Sequence, residues 1–207
     1  VAEGVRAGAF GVSTSLSLAH RSADGELAPT VTSHEDELLA LARGLREAGR
    51  GVFQLLPASQ EGKDPVAEMA MMRRIGAESG GRPLSFSLLN TFQHPDNMHR
   101  TLDLLSAATA DGVPIKAQVF PRGVGLLFGL DLSFHPFRFH PSYRAIEHLP
   151  LAERVAAMRD PGLRARILSE RAEHTNPVNL YFMEQTAELF PLGDPPNYEP
   201  APQTRLG

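Results

Sequence analysis

The chain has 207 residues, with 20 Lys and Arg against 24 Asp and Glu and a formal net charge of −4. Its 42% hydrophobic and 21% charged content suits a globular domain with a sizeable core, and the mixed charges exclude the basic stripe of a nucleic-acid binder. The absence of cysteine excludes disulfides and thiolate metal sites, and no apolar run reaches the ~18 residues of a membrane span.

The expectation is a cytoplasmic protein with neither a nucleic-acid nor a membrane partner; its oligomeric state is not written in composition. No secretory leader pattern opens the chain. The start at Val1 falls in a helix already under way, and Gly207 follows a proline-rich stretch without a terminal element, so an internal fragment of a longer chain is expected.

Four β-like runs alternate with helical patterns. After a helical tail to Ala7 comes the first run, Ala9 to Leu18, then a turn-rich loop from Ala19 to Thr32. Ser33, with Asp36 three residues on, reads as an N-cap. Leu38, Leu41, Ala42 and Leu45 make one apolar face of the helix that follows, which Gly49 closes. Gly51 to Leu56 is the second strand. Asp64 caps a helix with Pro65 at its first position, and Met69, Met72 and Ile75 are its inward residues by spacing. Pro83 to Leu89 is the third strand; Met98, Leu102, Leu105 and Thr109 mark the next helix, and Val113 to Phe120 the fourth strand.

Strands separated by helices of this length pair in parallel. Their apolar character predicts a sheet covered on both faces. Four units are half of an eight-stranded barrel, and an open doubly wound sheet is the competing architecture. Residues 1–121 are thus read as consecutive βα units and 122–149 as a long loop. Residues 150–207 are read as two helices, a short strand at Asn179 to Phe182 and a Pro-rich connection, all of the same domain.

In parallel α/β folds reactive groups gather at the carboxyl ends of strands. That rule selects Gln54, Ser87, Asn90, Gln118 and Arg122, with Ser13 to Ser15 ending the first strand. His20 and Arg21, in the loop after it, are cations placed to receive a carboxylate. These groups also suit hydrogen bonds to neighbouring loops. No His-x-His pair, His-Glu-x-x-His helix, Gly-x-Ser-x-Gly elbow or dinucleotide glycine pattern is present. His135 and His140 are poorly spaced for metal and read as packing or loop residues.

Gly8-Ala9-Phe10-Gly11-Val12-Ser13-Thr14-Ser15-Leu16 resembles the "GA-x-G-[FL]-S-[ST]-G-L" strand of amidohydrolases related to D-aminoacylases and N-acyl-D-amino-acid deacylases. Glu35 to Ala42 is similar to that family's "E-L-x-A-L-A" helix, and Asn197-Tyr198-Glu199-Pro200 to its "dYEP" segment. Gln118 to Arg122 and Arg159-Asp160-Pro161 follow in matching order. The resemblance implies a partial (β/α)8 barrel of the TIM type with parallel strands, an internal piece of a metal-dependent hydrolase. It implies hydrolysis of a non-peptide carbon–nitrogen bond in a small-molecule amide, such as an N-acyl amino acid. Zinc or another divalent metal is implied for the full-length parent, with ligands outside this chain. The family's histidine strand ends, "T-H-x-R" and "S-H-x-K", align with Gln54 to Pro57 and Ser87 to Asn90, which puts Leu55 and Leu88 in the histidine slots. No metal ligand is therefore expected here, and the 207 residues alone are expected to be inactive. The alternative is a non-catalytic barrel that binds a small ligand or partner after losing those histidines.

Overall fold

The computed structural model describes residues 1–20, 22, 26–58, 62–89, 94–121, 125–132, 134–173, 180, 186 and 189–206. Two compact units divide the chain, one of residues 1–22 and 26–123, the other of residues 23–25 and 124–207.

In the first unit the order is α1 (Ala2–Arg6), β1 (Gly11–Ser15), a 3-10 turn (Pro29–Thr32), α2 (Glu35–Ala48), β2 (Val52–Leu56), α3 (Pro65–Glu78), β3 (Leu84–Leu88), α4 (Pro95–Ala110) and β4 (Ile115–Val119). The strands form one parallel sheet in the order β1-β2-β3-β4. Neighbours in sequence are neighbours in space, without the reversal of strand order that defines a doubly wound sheet.

Alternation along the strands then sorts the side chains. Phe53, Leu55, Leu84, Phe86, Leu88 and Ile115 fall on one face and are buried with Leu38, Ala42 and Leu45 of α2, Met69, Met72 and Ile75 of α3, Ala108 of α4 and Val5 of α1. One face of the sheet thus carries the helix-side core. The other face carries Ser13, Gln54, Ser85, Ser87, Lys116 and Gln118, which share their register rows and are half-buried or exposed. The expectation of two covered apolar faces is corrected: the strands alternate, and one side is polar.

Local chemistry explains the ends. The Asp64 carboxylate accepts the Val66 N–H at 3.2 Å, capping α3 as expected. Gly49 closes α2 in the left-handed region at φ 69°. The start of α2 differs: His34, not Ser33, is its N-cap, and no side chain caps it. β1 is shorter than its apolar run because serines turn the chain away from the sheet. Ser15 Oγ accepts the Ser17 N–H at 3.1 Å, and Ser17 Oγ accepts the Ala19 N–H at 3.2 Å. Gly11 has a steric reason: a Cβ there would stand 1.9 Å from the Val52 carbonyl oxygen, so only glycine lets β1 lie against β2 at that point.

Of the four residues that marked α4 in the sequence, two face the core. Thr101 and Ala108 are buried, with Met98 and Leu105 packed on the core, whereas Leu102 and Thr109 are exposed. Thr101 tolerates burial because its hydroxyl donates to the Asn97 carbonyl at 2.7 Å. Ion pairs tie successive helices on their outer side: Arg6–Glu47 at 2.8 Å, Glu35–Arg74 and Arg73–Asp111 at 2.7 Å. Hydrogen bonding from Arg74 holds the Glu35 carboxyl below its ordinary range.

The second unit contains α5 (Pro141–Arg144), α6 (Leu151–Met158), α7 (Pro161–Ser169) and a 3-10 turn at Pro202–Thr204. Asp160 caps α7 as expected, accepting the Leu163 N–H at 2.8 Å. Ile167 and Tyr143 are buried. His135 is only 2% exposed and meets the Tyr143 ring edge-on at 4.5 Å between centroids, a packing role. The strand expected at Asn179 to Phe182 lies outside the described residues, Leu180 apart. Among the described residues no helix is long and apolar enough to cross a membrane.

Candidate functional site

The polar face of the first unit bears an open cavity of about 410 Å³, lined by Ser13, Thr14, Ser15, His20, Thr30, Gln54, Leu56 and Ser87. Ser15 and Leu56 end their strands and Ser87 is next to last in its own, so the cavity lies at the carboxyl side of the sheet, where sequence reasoning looked for it. The pairing of β1 with β2 sets Ser13 opposite Gln54.

A row of hydrogen bonds crosses three strands. Ser13 Oγ donates to Gln54 Oε1, and Gln54 Nε2 donates to Ser87 Oγ at 3.4 Å. The row has a direction. Ser13 has given its proton to Gln54 and keeps lone pairs; Ser87 has taken a proton from Gln54 and keeps its own O–H to donate onward.

The loop after β1 reaches back to close one side. The Ala28 N–H bonds to the His20 carbonyl at 3.0 Å, and the 3-10 turn that follows brings Thr30 to the cavity. Thr30 escaped sequence reasoning, which read Ala19 to Thr32 only as a loop. Pro29, placed to start a tight turn, was the available signal.

The structure therefore brings together His20, Gln54 and Ser87 of the candidate site residues. Gln118 stands opposite Ser87 in the register, on the same polar face, but it does not line the cavity. Arg21, Asn90 and Arg122 lie outside the described residues.

Leu55 and Leu88, placed in the family's histidine slots by resemblance, are 0% and 5% exposed within the helix-side core. A side chain at either position faces away from the cavity. Their identity is set by core packing, and it carries no information about a ligand lost from the polar face.

Of the described side chains around the cavity, only His20 is of a type that ligates zinc. Among the described residues no three His, Cys, Asp or Glu side chains are grouped to hold a metal ion. The described residues around the cavity do not fit a zinc centre. What they offer is neutral hydrogen bonding: hydroxyls and an amide on a rigid sheet, with one imidazole at the rim. No protein-family model, curated protein or solved structure matches the chain.

Proposed function

We propose that this chain supplies the substrate-side floor of a (β/α)-barrel hydrolase of the amidohydrolase superfamily, acting on the carbon–nitrogen bond of a small-molecule amide such as an N-acyl amino acid. The observation that carries the reading is the Ser13–Gln54–Ser87 row inside a cavity at the carboxyl side of a parallel sheet. Unreversed strand order and a helix-side core on one face support a barrel over a doubly wound sheet. The polar face is then the barrel's interior. The motif resemblance at residues 8–16 and 35–42 supports the amide chemistry, and a chain without cysteine suits the cytoplasm.

In this role the Ser87 hydroxyl and the second N–H of Gln54 bind the acyl oxygen, and the lone pairs of Ser13 accept the substrate N–H. These contacts orient the amide. Activation of the attacking water falls to groups beyond this row. In this reading His20, at the rim, holds the substrate's carboxylate.

The test is calorimetric titration of the 207-residue chain with N-acetyl amino acids, alongside Gln54→Leu. Saturable binding that weakens by about tenfold or more in the variant is expected, as for a lost pair of hydrogen bonds. Equal affinity in the variant overturns the assignment of this row.

A second reading, a barrel that binds a small ligand without turning it over, is favoured by the cavity's described lining, whose one titratable side chain is His20. It predicts the same binding, and no hydrolysis by the full-length parent supplied with zinc.

A further inference from the structure

The second unit holds a cluster that the proposed amide site does not use. His135, His140 and Arg154 each bury a side-chain nitrogen without a hydrogen-bond partner among the described residues: Nε2, Nδ1 and Nε respectively. They gather around Tyr143. His135 meets its ring edge-on, Arg154 Nη1 donates to its hydroxyl at 2.9 Å, and His140 is the N-cap of its helix. We propose that His135, His140 and Arg154 form the donor side of a binding site for a small oxyanion, a carboxylate or a phosphate.

The polarity of the unpartnered atoms selects the ligand. His135 Nδ1 accepts the Phe137 N–H at 3.3 Å, so in the neutral ring the proton sits on Nε2, which is a donor. Arg154 Nε is a donor in every state. A cation is therefore the wrong partner for either, and His135 cannot offer Nε2 to a metal while Nδ1 accepts.

Charge points the same way. The Arg154 side chain is 13% exposed, and its closest carboxylate, Asp131, stands 4.0 Å from Nη2 and is 74% exposed. The other acid close by, Glu170, is engaged by the Ser142 N–H at 2.9 Å and by the Ser142 hydroxyl. A largely buried guanidinium with one distant, solvated counter-ion is under-compensated. An oxyanion satisfies it, with Arg154 the fork and the two imidazoles the flanks.

Affinity should rise with acidity. Burial first, then the charges of Arg138, Arg154 and His140, push His135 down to about 4. A bound anion opposes those charges and raises the pKa, so binding takes up a proton. Asp131, paired with Arg154, and Glu170, held by Ser142, are the acids that face this cluster.

The experiment titrates the 207-residue chain with acetate and with inorganic phosphate, chloride being the screening control. Calorimetry and the histidine Cε1–H resonances are followed at about pH 5.5 and about pH 7.5. Saturable binding is expected, about tenfold tighter at the lower pH, weakened about tenfold or more by Arg154→Lys, which keeps the charge but loses Nε. His135→Gln, which keeps a neutral donor, should remove most of the pH dependence. Tighter acetate assigns a carboxylate ligand, and tighter phosphate a phosphoryl one. A response no different from chloride, unchanged affinity in Arg154→Lys, or a pH slope that survives His135→Gln overturns the proposal. If Arg154→Lys does not fold, the wild-type resonances decide: His135 and His140 signals unmoved by either anion overturn it.

Discussion

The two units solve burial in opposite ways. The first buries mainly hydrocarbon: a sheet face of Phe53, Leu55, Phe86 and Leu88 lies under three amphipathic helices, and polar groups buried with it, such as Thr101 and Glu68, are hydrogen-bonded. The second buries chemistry: a histidine, a tyrosine and most of an arginine meet in one place, with nitrogens that lack hydrogen-bond partners among the described residues. Hydrophobic burial is indifferent to pH and tolerant of surface change. Buried polar groups tie stability to protonation and to ligands. The difference teaches which unit responds to conditions.

The largest effect should come from breaking the hydrocarbon side. Phe86→Ala removes a ring that is 0% exposed in the sheet. It should cost about 3–5 kcal/mol and lower protection from amide exchange across β1 to β4 before it affects α6 or α7. Equal loss of protection in both units would show that they do not unfold separately.

Acid sharpens the contrast. The folded-state pKa of His135, about 4, lies below its ordinary 6.5. The unfolded chain thus binds the extra proton first, and stability falls as pH drops through that window. The loss by pH 4 is on the order of 3 kcal/mol. Protection factors in the second unit, which are corrected for the slower intrinsic exchange in acid, should fall between these pH values, and His135→Phe should flatten that dependence. A fall that is the same in the variant would remove His135 as its cause.

The smallest effect compares like with like. Asp64→Ala and Asp160→Ala each delete a side-chain cap and should each cost about 1 kcal/mol in their own unit. A cap in one unit that costs the other unit equally would signal coupling between them.

Much of both units was legible because the punctuation is local. Asp64-Pro65, Asp160-Pro161 and Gly49 mark helix ends by chemistry that acts within a few residues. The two faces of the sheet were legible too, in the alternation of Phe53, Gln54 and Leu55 or of Leu84, Ser85 and Phe86, though the strands read as apolar runs. The face of α4 was hidden for a different reason. Thr101 and Ala108 are small, and their place inside depends on how closely the helix approaches the sheet. A packing role for His135 could be read from its Pro- and Phe-rich surroundings, but its partners could not, since Tyr143 lies eight residues on and Arg154 further still. At the site, strand-end logic found Gln54 and Ser87, but only the register revealed Ser13 as their partner and removed Leu55 and Leu88 from consideration.

The hydrogen-bond row beneath the cavity has a head and a tail. Its Ser13 end, with the O–H committed to Gln54, can only accept a hydrogen bond from a guest, whereas its Ser87 end keeps an O–H to give as well as a lone pair. A molecule laid along it would meet a different surface when turned end for end, which is the asymmetry a floor needs to sort guests by orientation.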